Sequence, residues 1–233
     1  MLAEKITIRQ LFLGNANAYV VISGDEAAII DGGLGCRPQR FVEALSIGVN
    51  MAEVRYIVVT HAHYDHVGSI RALKQKFPDA VIVAHQIEAA NLREGASPVP
   101  RGTMWFSRPV SWLGCRLFHN CIRFAGFAVD LEIGDSLECP LGGSELEFFH
   151  TPGHTSGSLC VRVGREAVFV GDSIFHVLPG CFFPPFADQP ELIVASWQRI
   201  AETGVRMIYP GHGRPISLKK FVAGNGRFNQ PTR

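Results

Sequence analysis

No apolar stretch in this chain of 233 residues approaches the roughly 20 residues that a membrane-spanning helix needs. A bundle of spanning helices is therefore not expected. Net charge is also nearly missing: the formal value is +1 at pH 7, so no global field favours nucleic acid or an anionic membrane, although local patches remain open. The start, MLAEKITIRQLFLG, carries an acid and two bases and lacks an apolar core ending in a small-residue cleavage site. The expected location is the cytoplasm. Six cysteines (Cys36, Cys115, Cys121, Cys139, Cys160 and Cys181) form no CxxC pair, which excludes the two-cysteine redox and zinc motifs. They read as free thiols, several of them buried. Cys115 and Cys121 are close enough to leave a bridge open. There is no low-complexity tract and no repeat, and the length fits one domain over residues 1–233.

Acidic residues are absent from Gly95 to Val129. That segment holds Arg101, Arg108, Arg116 and Arg123 and six aromatics: Trp105, Phe106, Trp112, Phe118, Phe124 and Phe127. Its periodicity is poor, and it reads as an insertion. Two roles fit it equally: a lid forming an apolar, basic wall for an acyl or anionic substrate, or a contact between subunits. Contact with a membrane surface is a weaker third. LPGCFFPPF, with Phe182, Phe183 and Phe186, is expected to form the opposite wall of a pocket, with loop packing an equal alternative.

What is present is a series of short apolar and alternating runs. ITIRQLFL, AYVVIS, EAAIID, RYIVVT, AVIVAH, VDLEI, SELEFFH, SLCVRV, AVFVGD and RMIY read as strands. RPQRFVEAL, the stretch after His66 up to Pro78, IEAANLRE and PELIVASWQRIAETG read as helices, the last with Leu192, Ala195, Trp197, Ile200 and Ala201 as its apolar side. Strands outnumber helices and often sit in hairpin-like succession. That pattern favours an α/β fold of two mixed sheets with helices outside them.

Chemistry gathers where strands end. RYIVVT runs into His61, His63, Asp65 and His66; SELEFFH into TPG and His154; AVFV into Gly171 and Asp172; RMIY into PG and His212; EAAII into Asp31. If these ends share one edge, imidazoles and carboxylates converge, which is the donor chemistry of a transition-metal site. His61 and His63 are two apart, so an extended segment points both the same way. Asp65 and His66 follow where the chain turns into a helix and can face a second point. Taken alone, Asp172 could cap a turn, Asp31 before Gly-Gly could be a turn former, and Tyr64 could reach substrate or pack away. His176 is near enough to Asp172 in sequence to line the pocket, and His85 and His119 read as ordinary.

The ordered set IIDGG, THAHYDH, TPGHTSGS, GDSIF and YPGHG resembles the metallo-β-lactamase superfamily over roughly Ile6 to Ser217. The resemblance implies a four-layer αββα sandwich with the site along one edge of the sheets. It further implies His61, His63 and His154 on one metal ion, Asp65, His66 and His212 on a second, Asp172 bridging both, and Asp31 orienting a histidine from outside the ligand set. Two divalent ions are then expected, zinc by default, with iron or manganese accepted by the same donors. Departures narrow the branch. His63 stands where the oxygen-reducing diiron branch has Glu, and Asp172 where antibiotic-hydrolysing members have Cys or lack a bridging carboxylate. RNA-processing relatives bring a second domain or exosite that is not evident here. What remains is similar to glyoxalase II-like thioesterases and lactonases. The implied reaction is attack of a metal-bridging hydroxide on a thioester or lactone carbonyl, with Asp65 and Asp172 holding the nucleophile. A mononuclear iron sulfur dioxygenase and a phosphodiesterase remain alternatives. Only about twenty residues, among them Lys219, Lys220 and Arg227, follow PGHG, where glyoxalase II has a helical glutathione-holding region, so a glutathione thioester is not specifically expected. The substrate is expected to be a small molecule, with no nucleic acid and a homo-oligomer through 95–129 left open.

Overall fold

The computed structural model describes residues 6–13, 15–35, 38–49, 53–119 and 121–225. The expectations for Cys36 and Arg227 fall outside them. In chain order the first half contains β1 (Thr7–Leu13), β2 (Ala16–Ser23), β3 (Glu26–Ile30), α1 (Pro38–Val49), β4 (Glu53–Val58), α2 (Tyr64–Val67), α3 (Ile70–Lys76), β5 (Val81–His85) and α4 (Ala89–Glu94). Next come β6 (Ala96–Pro98), α5 (Ser107–Leu117), β7 (Cys121–Arg123) and β8 (Leu131–Ile133). The second half has β9 (Ser136–Leu141), β10 (Ser144–His150), β11 (Leu159–Val163), β12 (Ala167–Phe169), β13 (Phe175–His176), α6 (Ile193–Glu202), β14 (Met207–Tyr209), β15 (His212–Gly213), β16 (Ile216–Ser217) and α7 (Leu218–Gly224).

Two six-stranded sheets result, in the orders β1-β2-β3-β4-β5-β8 and β16-β14-β12-β11-β10-β9. Alternation along the strands makes the layers. In β2, Ala18 and Val20 join Ala27 and Ile29 of β3 against Phe41 and Leu45 of α1 and Leu73 of α3. Their neighbours Tyr19, Val21, Ala28 and Ile30 point the other way and pack on Phe148, Val161 and Phe169 of the second sheet. The far face of that sheet, with Phe149, Cys160 and Val168, buries Trp197 and Ile200 of α6 and Phe221 of α7. Three apolar layers between four layers of elements give the αββα sandwich expected from the motif set, because a strand buried on both sides supplies one residue to each face in turn.

Strand direction places the site. β3 and β4 pair in parallel, as do β12 and β14, while β10 and β12 each run antiparallel to β11. Within each sheet these strands therefore finish at a common edge. Hydrogen bonds across the two sheets bring the edges together: Leu159 N–H to Thr60 O (2.9 Å), Asn17 N–H to Gly211 O (2.7 Å) and Tyr19 O–H to Pro210 O (2.6 Å). No helix of the described residues is long and apolar enough to cross a membrane.

Three expectations are corrected. The helix read as RPQRFVEAL runs on to Val49. Of the expected apolar side of α6, Trp197 and Ile200 are buried, joined by Ile193 and Ser196, whereas Ala195 is exposed and Leu192 and Ala201 are half-buried. The segment 95–129 holds regular structure after all: β6 and β7 pair antiparallel around α5. A core-facing stripe could not reveal α5, which buries only Ser107. Cys115 and Cys121 are free thiols.

Candidate metal centre

Each donor is carried by the chain just beyond a strand end. After β4, Thr60 to His63 is extended and α2 then turns, its entry fixed by the His66 and Val67 N–H groups on His63 O (2.9 and 3.2 Å). His61 and His63 reach the His154 ring from one side: His154 Nε2 lies 3.2 Å from His61 Nε2 and 2.8 Å from His63 Nδ1. His66 Nε2 lies 3.4 Å from His212 Nε2, and His212 Nε2 lies 3.5 Å from Asp65 Oδ2. Asp172, in a single 3₁₀ turn after β12, stands between the two sets. Its Oδ2 is 3.5 Å from His154 Nε2 and 3.3 Å from His212 Nε2, and its Oδ1 is 3.3 Å from His66 Nε2. Three groups have donor atoms within 4.8 Å of one another: His61, His63 and His154; His61, His66 and Asp172; Asp65, His66 and His212.

The donor chemistry fits cations. The outer ring nitrogens are engaged: His66 Nδ1 with Asp31 Oδ2 (2.9 Å), His154 Nδ1 with Phe186 O (2.9 Å) and His212 Nδ1 with Asn15 O (2.7 Å). A neutral imidazole donating from Nδ1 carries a lone pair on Nε2. Those lone pairs then face one another at contact distance, which is repulsive until a cation shares them. Two of the separations, 3.2 and 3.4 Å, match the roughly 3.3 Å edge of a tetrahedron with metal–nitrogen bonds of about 2.0 Å, and the 2.8 Å between His154 and His63 is shorter. Asp172 Oδ1 is buried and has no hydrogen-bond donor among the described residues. Two glycines leave the space. A Cβ on Gly211 would sit 2.3 Å from Asp172 Oδ1 and 2.7 Å from His66 Cε1. Gly171, at φ +48°, would put one 2.7 Å from Thr60 Oγ1.

A family model described as the metallo-beta-lactamase superfamily matches residues 11–212. The chain belongs to the metallo-β-lactamase superfamily. The probable metallo-hydrolase YqgX of Bacillus subtilis (strain 168) is 28% identical over 168 residues, 69% of this chain and 67% of that one. The acyl-coenzyme A thioesterase MBLAC2 of Gallus gallus is 27% identical over 214 residues, 84% of this chain and 72% of that one. Two further curated relatives are matched over only 51% and 53% of their length. Among solved structures, the B3 metallo-β-lactamase BLEG-1 superposes with a TM-score of 0.74 at 23% identity, covering 96% of this chain and 100% of that one. That likeness is one of fold.

Protein groups alone divide the centre of this superfamily member electrostatically. Burial, then the neighbouring imidazoles, pushes His61 well below the usual histidine range, and burial with His154 lowers His63 to about 3. His154 is lowered by burial too. At His212 burial acts the same way but Asp172 and Asp65 outweigh it, raising the ring to about 10. His66 is likewise raised, by Asp172 and Asp31 against burial. Burial opposes the charged form of Asp65 and Asp172, yet the histidines hold both below the usual carboxylate range, Asp65 at about 2.

Over the donors lies a cavity of about 280 Å³ lined by His63, Asp65, His154, Asp172 and His212 and walled by Val99, Val110, Phe118, Ile122, Phe175 and Phe186. The segment 95–129 is thus a wall of the superfamily pocket. Tyr64 lines it as well. Of the three phenylalanines expected opposite, Phe186 does so, but Phe182 and Phe183 turn into the α6–α7 core. Phe175 takes their place and stacks on the His212 ring, 4.7 Å between centroids. The two walls are joined by Thr103 N–H to Pro185 O and Ala187 N–H to Arg101 O, both 2.9 Å. His176 does not line the cavity; its Nδ1 bonds Arg214 O at 2.7 Å. His85 stacks on His150 at 4.0 Å.

Asp31 holds its place by accepting from Thr60 N–H (2.9 Å) and the Thr60 hydroxyl (2.9 Å), at a φ of +63°. Three supporting residues escaped the sequence reading. Thr60 approaches His61 Nδ1 at 3.0 Å. Asn15 accepts from His212 through its carbonyl and donates to Asp65 Oδ2 at 3.0 Å through its amide. Glu88 is buried and accepts from the Thr155 hydroxyl at 2.6 Å, beside His154. Thr60 opens the THAHYDH motif but carries no metal-ligand chemistry of its own, Asn15 lies in no motif, and Glu88 sits in what reads as the polar start of a helix.

Proposed function

We propose that this chain is a binuclear metal-dependent hydrolase that cleaves a thioester, or an ester or lactone. The observation carrying this reading is the position of Asp172, within 3.5 Å of His154 on one side and 3.3 Å of His66 and His212 on the other. In this reading His61, His63 and His154 hold one divalent ion, Asp65, His66 and His212 hold the other, and Asp172 touches both. Zinc is the proposed ion. Divalent ions bound there would supply an acidified water and a Lewis-acidic seat for a carbonyl oxygen.

The chain's own groups do the rest. Asp65 and Asp172, both kept ionised by the surrounding histidines, orient the attacking water and accept its proton. Asp31 and Asn15 hold His66 and His212 in the tautomer that leaves Nε2 free, as outer partners of metal-binding histidines do. The walls of Val99, Val110, Phe118, Phe175 and Phe186 take the apolar part of an acyl substrate and exclude water. Tyr64, with its backbone N–H tied to Ser97 Oγ at 3.0 Å, is placed to contact that substrate. The relative named as an acyl-coenzyme A thioesterase supports the thioester side of the proposal.

The experiment is a hydrolysis panel of acyl thioesters, lactones and phosphodiesters on metal-quantified protein. The proposal expects turnover of thioesters or lactones that falls by orders of magnitude in Asp172→Asn. Phosphodiester turnover exceeding both would overturn it.

A further inference from the structure

We propose that the outward side of α5 is a docking surface for an anionic lipid bilayer. α5 has two unlike sides. Val110, Ser111 and Gly114, with Phe118 just beyond the helix, line the cavity. The helical period sets Arg108, Trp112 and Arg116 on the opposite side, and Trp105 lies in the turn that leads into the helix. Trp112 is 63% exposed there, and Trp105 in the preceding turn is 85% exposed. Monomeric proteins rarely leave such large side chains together in water, and contiguous exposure of this kind marks a binding face.

Charge decides the occupant. Arg101, Arg108, Arg116 and Arg123 are all exposed, and no acidic residue lies between Gly95 and Val129. The Arg116 guanidinium sits 5.6 Å from the centre of the Trp112 ring, an arrangement that keeps cation and aromatic on one side. Indoles with guanidiniums suit the headgroup layer, where the ring sits among acyl-chain ends and the cation meets phosphate. A second copy fits poorly. In a two-fold contact the face would meet itself, and Arg108 and Arg116 would face like charges with no local carboxylate to pair them. Nucleic acid would use the arginines but leave Leu113, exposed and flanking Arg116 on the helix, without a partner. The surface does not depend on the hydrolase reading, because binding is read without turnover.

The test is co-sedimentation of the purified full chain with vesicles of phosphatidylcholine alone and of equal parts phosphatidylcholine and phosphatidylglycerol. Stronger binding to the anionic vesicles is expected, weakening as salt rises. Arg108→Glu with Arg116→Glu should weaken it by tenfold or more, on the order expected for reversing two juxtamembrane charges. Trp105→Ala with Trp112→Ala should weaken it at every salt concentration. Both double variants are at exposed positions, and unchanged melting temperatures would establish that they fold. Absence of binding to the anionic vesicles at low salt would overturn the proposal. So would binding that neither double variant alters, or light scattering that finds a dimer lost in Trp105→Ala/Trp112→Ala.

Discussion

The Glu88 carboxylate accepts a 2.6 Å hydrogen bond from the hydroxyl of Thr155, next to His154. The same carboxylate takes backbone N–H bonds from Ala62, which separates His61 from His63, and from Gly157. One buried acid thus clamps the two loops that carry His61, His63 and His154. Burial pushes its carboxyl upward while those bonds hold it down. Glu88→Ala should lower stability by about 1–3 kcal/mol, the range for stranding buried donors, and should weaken metal binding. Glu88→Gln keeps one acceptor and should fall between. The check is a chelator competition titration beside thermal melts; a melt shift with unaltered metal affinity would reduce Glu88 to a packing role.

Asp31→Asn should leave the fold intact, because Asn tolerates a φ of +63°, but it loses an acceptor for the His66 ring or for Thr60. Metal affinity should drop about 10- to 100-fold, the usual effect of removing an outer partner. The same titration measures it.

Gly211→Ala should be more disruptive than its size suggests. The added methyl meets Asp172 Oδ1 at 2.3 Å and His66 Cε1 at 2.7 Å, and neither group can retreat without leaving the centre. Metal content should fall and stability drop by about 1–3 kcal/mol, read by elemental analysis and melting temperature.

After chelation the melting temperature should be greatest near pH 6.5. His63, at about 3 in the folded chain and 6.5 unfolded, refuses a proton that the unfolded chain binds, so stability is lost as pH falls from 6.5 towards 3. His212, raised to about 10, contributes stability that is complete below 6.5 and lost as pH rises through 10. His212→Ala should shrink the alkaline arm, leaving the part that His66 contributes, and should also reduce the acid arm because Asp65 and Asp172 lose a partner that holds them ionised. A profile with no alkaline loss in the parent protein would contradict the His212–Asp172 pairing.

Much of this was legible in the sequence because the site is written in ordered motifs at strand ends. His61, His63, Asp65, His66, His154, Asp172 and His212 stand together as their positions implied, and Asp31 meets His66. The four-layer sandwich followed from the same set. The rest was hidden for identifiable reasons. Glu88, Thr60 and Asn15 act through hydrogen bonds to residues distant in sequence or through backbone groups, which leave no spacing pattern. Phe182 and Phe183 look like pocket residues by composition, and only the packing of α6 and α7 turns them inward. α5 could not be read because it buries only Ser107, so no stripe of core residues marks it, and it carries Pro109 and Gly114, two poor helix formers.

The central claim is that Asp172 and the six side chains around it hold two divalent ions, and the most direct measurement is metal content per chain by elemental mass spectrometry after purification without chelator. The account predicts about two equivalents in the parent protein, a loss confined to one equivalent in His212→Ala, and loss of both in Asp172→Ala. Less than one equivalent in the parent protein, under added zinc, iron or manganese, would contradict it.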